Sequence, residues 1–344
     1  MQLQEIWFLI VGFLFIGYFV LDGFDFGVGM SLPFIAKDDT DRRVLINTIG
    51  PVWDLNETWV IVAGAALFAA FPEWYASLFS GFYLALLLIL AALIARGVAF
   101  EYRGKGHTIG ANEVRWKATF DWMIVIGSAL PALLWGVAFA NIVQGVPLNE
   151  DHVYTGTLFT LLNPYGLLGG LVTLTLFWTH GLMFIGLKTE GEIQVRAREL
   201  AHKVGLVATA LAATFLLWTL FAITATRELF VLGLVLTAVA ALSLIGGLVA
   251  NRLERSGIAF SLLALTIVTG VGALFAALFP YVLPSTIDDA FSLTVENARS
   301  SDYTLGVMTW VAVIMIPLVL LYQGWTYWVF RKRVSRKSIP VGAH

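Results

Sequence analysis

Residues 5–32 read EIWFLIVGFLFIGYFVLDGFDFGVGMSL. As a helix this run is long enough to cross the roughly 30 Å hydrocarbon core of a bilayer. It contains no lysine or arginine, and beyond Glu5 its charges are Asp22 and Asp25. Eight more apolar runs follow, at about 52–71, 76–99, 118–141, 164–187, 204–225, 229–250, 258–281 and 303–330. Alternating the connecting segments sorts the 21 lysines and arginines. Nineteen fall in one set, with Arg96 counted in the loop after the third run, and only Arg227 and Arg299 fall in the other. Basic loops stay on the cytoplasmic side. The sequence therefore predicts an all-α, polytopic membrane helix bundle of nine transmembrane helices, N-terminus outside and C-terminus cytoplasmic. Residues 1–330 form a single transmembrane domain, and 331–344 form a basic cytoplasmic tail.

Composition agrees. Hydrophobic residues make up 59% of the chain and charged residues 13%, where a soluble domain carries about 25% charged. A net charge of −2 gives no case for nucleic acid. The absence of cysteine excludes disulfides, iron–sulfur clusters, thiolate-bound haem and covalently attached haem together. The first run has neither a basic flank before it nor a small-residue cleavage site after it, so it reads as a retained helix. Segment 37–50 is polar and basic and predicts a short helix on the inner surface. Pro131 and Pro317 lie inside runs and are expected to kink them.

Five acids lie in or at the edge of the runs: Asp22, Asp25, Asp54, Glu57 and Asp121. A carboxylate in lipid costs on the order of 3 kcal/mol, so each needs a reason. With the helices alternating in direction, all five fall toward the cytoplasmic face. Asp22 and Asp25 share a helical face, as do Asp54 and Glu57, each pair three residues apart. Partly desolvated acids near one another can hold and pass a proton, which points to a proton funnel from the cytoplasm. A structural reading stands beside it. Asp54, Glu57 and Asp121 open helices, where the helix dipole favours an acid. Asp22 and Asp25 approach a helix C-terminus and need a partner, for which Arg42, Arg43 and Arg96 are candidates. His180 is the histidine well inside a run, and without a second histidine near it, it reads as a hydrogen-bonded helix contact. His107, His152 and His202 read as loop residues in solvent.

The stretch from Asp22 to Met30 (DGFDFGVGM) and that from Asn47 to Trp59 (NTIGPVWDLNETW) resemble subunit II of the cytochrome bd-type quinol oxidases. Matching stretches recur at Leu67–Pro72, Arg96–Arg103, Gly136–Asn141, Gln144–Pro147, Leu162–Gly166, Phe279–Ser285 and Val307–Trp310. The resemblance implies a subunit of a bacterial quinol:oxygen oxidoreductase in the cytoplasmic membrane. It implies that this chain has no cofactor, that haem b and haem d sit in a partner, subunit I, and that quinol is the substrate of the complex. It assigns the start of a proton path to Asp54, with Asp25, Asp22, Glu57 and Asp121 in support, and an oxygen route to the neighbourhood of Trp59. Glutamine or another neutral residue often stands in the family where this chain has Glu57. A quinone bound within this subunit and small accessory subunits stay open. A secondary transporter with the acids as its coupling site is the rival from another class. Transporters, however, place such groups near the midplane of both halves, and here the last four runs have none.

Because the chain has no cysteine, its topology can be read with single replacements. Lys332→Cys should react with a membrane-impermeant maleimide only from the cytoplasmic side, and Asp151→Cys only from the opposite side. The reverse pattern would invert the orientation.

Overall fold

The computed structural model describes residues 2–223 and 228–339, and of 107–109 the backbone alone. Arg227, taken above as an outer-loop cation, and residues 340–344 of the tail lie outside the described residues, as does the side chain of His107. The helices are α1 (Leu3–Ile35), α2 (Asp39–Ile49), α3 (Trp53–Ala70), α4 (Pro72–Gly81), α5 (Tyr83–Tyr102), α6 (Glu113–Gln144), α7 (Leu158–Leu161), α8 (Pro164–Lys188), α9 (Glu192–Trp218), α10 (Phe230–Arg252), α11 (Ser256–Leu278) and α12 (Asp302–Val329). Two short antiparallel strands, Tyr281–Leu283 and Leu293–Thr294, pair in the loop before α12.

Eight of these helices are long and apolar enough to cross a membrane: α1, α5 (extended to Gly106), α6, α8, α9 (extended to Ile223), α10, α11 and α12. The helix α3 is not among them. It spans 18 residues and opens with Asp54, Asn56 and Glu57, so its start is polar. The third run expected at 76–99 begins earlier, because Pro72 occupies the first helical turn of α4, where its missing N–H is not needed. The run passes through Phe82 and continues as α5 to Tyr102. Arg96, assigned above to a loop, is therefore inside a helix and fully buried. The apolar residues after it extend the helix, and acids on neighbouring helices accept its charge. Similarly α9 starts at Glu192 rather than near 204, with Arg196, Arg198 and Lys203 on the helix itself. The apolar runs marked only the lipid-facing part of that helix.

The central element is α1, which packs against α3, α6, α8 and α11. Its contact with α8 is backbone to backbone. A Cβ on Gly27 would lie 2.1 Å from the carbonyl oxygen of Phe177 and 2.7 Å from Cα of Gly181. Gly136 on α6 meets Gly169 on α8 in the same way, 2.2 Å from its carbonyl oxygen. Small residues let helices approach this closely in lipid, where packing rather than water exclusion drives association. In contrast, α12 stands at the rim, with 6% of its apolar window buried.

Basic segments collect at one end of the bundle. There Asp38 caps α2, accepting from the backbone N–H of Asp41 at 2.9 Å. Val44, Leu45 and Ile49 of α2 are buried beneath it. The buried carboxylate of Asp41 accepts from Arg196 at 2.9 Å and from Arg336 at 2.8 Å, which fastens residues 331–339 back onto α2 and α9. At the opposite end the loop before α12 is tied to α1 by Gln4 and Glu296, 2.6 Å apart, and to the end of α3 by the Ser300 N–H and the Ala70 carbonyl.

Gly27→Val should lower the thermal midpoint of the assembled protein, since overpacking costs about 1–3 kcal/mol or more and backbone is what stands in the way. An unchanged midpoint in a thermal-shift assay would show that α1 and α8 do not meet there.

Candidate functional site

The site is built on Arg96. Its Nη2 donates to Oδ1 of Asp22 on α1 at 2.7 Å and to Oε2 of Glu57 on α3 at 2.9 Å. The guanidinium lies over the ring of Phe26, 4.4 Å from the centroid, a contact that favours a desolvated cation. Asp22, Asp25 and Arg96 are all 0% exposed. Asp25, one turn beyond Asp22, accepts from Nδ2 of Asn56 at 2.7 Å. Three carboxyls thus converge on one guanidinium and one amide, drawn from α1, α3 and α5. Asp22 Oδ2, Asp25 Oδ1, and Nε and Nη1 of Arg96 have no protein partner among the described residues. Buried polar atoms of this kind are the places where water or an exchangeable proton is accommodated.

A hydrogen-bond chain leads away from Asn56 to α12. Its Oδ1 accepts from Gln323 Nε2 at 3.0 Å and from the Tyr327 hydroxyl at 2.7 Å. Gln323 Oε1 in turn accepts from the indole N–H of Trp59 at 2.9 Å. Trp59 is buried, and its ring fills the space beside Gly17, where a Cβ would come within 2.1 Å.

The five acids expected at the cytoplasmic face therefore divide. Asp22, Asp25 and Glu57 come together. Asp121 joins a second network nearer the basic end, where it accepts from Arg103 at 2.6 Å and lies 3.5 Å from Arg42. Arg103 also donates to Asp39 at 2.6 Å, and Lys117 reaches Asp39 at 3.2 Å. Partial burial works against the Asp39 charge, yet Arg103 and Lys117 hold its carboxyl below the ordinary range. A cavity of about 460 Å³ opens beside this network, bordered by Asp39, Arg42, Lys117, Asp121 and Trp122. Arg96 and Arg103 are seven residues apart, about 10 Å along a helix, so a single stretch of chain anchors both networks. Asp54 joins neither. It is exposed in the first turn of α3, and its carboxylate meets no partner among the described residues.

Two side chains of this hydrogen-bond chain escaped the sequence reading. Asn56 sits inside the stretch quoted above, and Gln323 is the amide in an otherwise apolar last run, which is itself a signal, since polar groups in lipid need partners. His180 is the helix contact expected: its Nε2 meets the Val20 carbonyl at 3.1 Å and its ring stacks on Phe260 at 4.6 Å. Its other ring nitrogen, Nδ1, has no protein partner among the described residues. His152 is not a free surface residue, for its Nδ1 lies 2.9 Å from the Phe291 carbonyl. His202 is partly buried, with both ring nitrogens lacking a protein partner.

Residues 3–330 match the family model described as cytochrome bd terminal oxidase subunit II. The chain is 41% identical over 341 residues to cytochrome bd ubiquinol oxidase subunit 2 of Bacillus subtilis (strain 168), covering 98% of each. It is 40% identical over 375 aligned residues to cytochrome bd-I ubiquinol oxidase subunit 2 of Escherichia coli (strain K12), covering 99% of this chain and 98% of that one. Its fold is similar to that of a chain of the bd oxidase from Geobacillus thermodenitrificans, with a TM-score of 0.76, 17% identity, and 96% and 100% of the two chains covered.

Removing one partner of a buried ion pair costs about 3–5 kcal/mol. Arg96→Met should therefore abolish or sharply reduce recovery of folded protein, while the double variant Arg96→Met with Asp22→Asn should recover part of the loss. Equal recovery of Arg96→Met and the parent chain on size-exclusion chromatography would refute the pairing.

Proposed function

From the premise that the chain belongs to the subunit II family of the cytochrome bd terminal oxidases, we propose that it draws protons into the oxidase from the cytoplasm. The complex is a quinol oxidase of a bacterial membrane; it carries haem, and subunit I is this chain's partner. In our reading haem b, haem d and the oxidation of quinol belong to subunit I, and this chain is the haem-free companion. Counting α3 gives nine crossings of the cytoplasmic membrane, with the N-terminus outside and the basic end at the cytoplasm.

The observation that carries this reading is the buried group of Asp22, Asp25 and Glu57 around Arg96. One guanidinium cannot balance three carboxylates, so the group has the capacity to hold and release protons. Water beside Asp22 Oδ2 and Asp25 Oδ1 would complete the exchange path, since bridging water is nearly as good a partner as a direct bond. Asp54 receives the proton first. It is exposed on α3, the helix that also supplies Glu57 and Asn56 to the buried group. Asp121, with Arg103 and Arg42, supports the basic end of the path. Dioxygen, small and apolar, passes beside Trp59.

Subunit I covers the rim of the bundle formed by α12 and α3. The residues Trp310, Leu321, Ile61 and Phe68 are 74%, 71%, 68% and 60% exposed in the chain alone. Such faces are ordinary against lipid. On α12, however, the buried residues are Leu305, Gln323 and Thr326, and Gln323 faces Asn56, which leaves the rest of the helix for a partner.

Asp54→Asn should lower oxygen consumption by the purified complex on the order of a hundredfold or more, the lower end of the range for a positioned proton-transferring group, while haem content and subunit stoichiometry stay unchanged. Full turnover in that variant would remove Asp54 from the path.

A further inference from the structure

The amide of Asn56 has two ends, and only one orientation satisfies its neighbours. An indole N–H can only donate. Trp59 Nε1 donates to Gln323, so the carbonyl end of Gln323 faces Trp59 and its NH₂ end faces Asn56. The carbonyl of Asn56 must then face α12, where the Tyr327 hydroxyl donates to it as well. The NH₂ end of Asn56 is left pointing at α1. There it meets Asp25 Oδ2 at 2.7 Å and, more distantly, the Leu21 carbonyl at 3.4 Å, which can only accept. A donor-only group at one end and an acceptor-only group at the other fix the direction of the whole chain.

We infer that Trp59, Gln323 and Asn56 form a polarised hydrogen-bond chain that sets which oxygen of Asp25 carries an exchangeable proton, with Gln323 as the positioning residue. Oδ2 always receives the Asn56 N–H and is held as an acceptor. A proton on Asp25 resides on Oδ1, the oxygen without a protein partner among the described residues. Tyr327 adds a second donor that holds the Asn56 carbonyl in place. The chain runs from the indole assigned above to the oxygen route to a carboxyl assigned to the proton path, and Gln323 comes from the last helix. Gln323 touches neither route's cargo; it acts through Asn56. The consequence for turnover rests on the proton-uptake reading, whereas the orientation of the carboxyl does not.

The test uses the assembled oxidase and infrared difference spectroscopy. The carboxyl C=O band lost in Asp25→Asn identifies Asp25. That band should move in Gln323→Leu, which removes both amide ends, and in Gln323→Glu, which keeps the shape but offers Asn56 an acceptor when ionised. A purely structural glutamine would leave the band where it is. No Asp25 band in the parent protein, or a band unmoved in both variants, would overturn the inference. In parallel, the pH midpoint of oxygen consumption should be displaced in Gln323→Leu by about 0.7 unit, the equivalent of one net hydrogen bond, with no such effect in an Asp25→Asn background. If Asp25→Asn alone keeps full turnover at every pH while the band still moves in the Gln323 variants, the proton role of Asp25 fails and the positioning stands.

Discussion

A buried guanidinium is among the most costly groups a membrane helix can carry, and the bundle is arranged around one. Arg96 is stabilised by Asp22 from α1 and Glu57 from α3, with the face of Phe26 beneath it. None of these partners can leave without stranding the others. The pair draws α1, α3 and α5 to one point, and that point in turn fixes where Asn56 meets Asp25. The close glycine contacts of α1 with α8 and of α8 with α6 hold the far side of the same helix against the rest of the bundle. Packing and charge thus act on opposite faces of α1. Neither suffices alone, because helices in lipid gain little from simple apolar contact.

Charge is layered along the molecule. Near the basic end, acids and bases are close to balanced: Asp39 and Asp121 share Arg103, Arg42 and Lys117, and Asp38 and Asp41 share Arg336 and Arg196. Those pairs are partly solvated and serve mainly to fasten α2 and the tail. About two helical turns deeper, the balance tips toward acid, with Asp22, Asp25 and Glu57 against Arg96. A surplus of buried carboxyls gains nothing in stability over apolar side chains. The ion pair with Arg96 serves folding, and the acid in excess of it is what the proposed proton uptake would use.

Much of this was legible in the sequence. Apolar runs gave most of the helices, because a bilayer imposes its thickness on any chain that crosses it. The spacing of Asp22 and Asp25 placed them on one face. Of the three arginines named as candidate partners for Asp22 and Asp25, the structure pairs Arg96 with Asp22; which of the three it would be was not legible, because spacing along one helix says nothing about what a neighbouring helix presents. Arg96 was counted with a loop for that reason, although it stands inside α5 with acids waiting on two other helices. The bond between Trp59 and Gln323 joins residues 264 positions apart. Asp54 and Glu57, paired by their spacing, part company in the structure: one turn of α3 carries the first to the surface and the second to the buried group. The early start of α9 was missed because its first turns are polar, and an apolar window begins only where lipid would.

The position of Gln323 also bears on how the molecule is made. It belongs to α12, which is synthesised after α1 to α11. Until then the Asn56 carbonyl and the Trp59 indole lack their partners on α12, and α3, which carries both, borders an open seam. The final helix therefore serves as a seal, so a chain truncated before it would enter the bilayer with its polar interior incomplete.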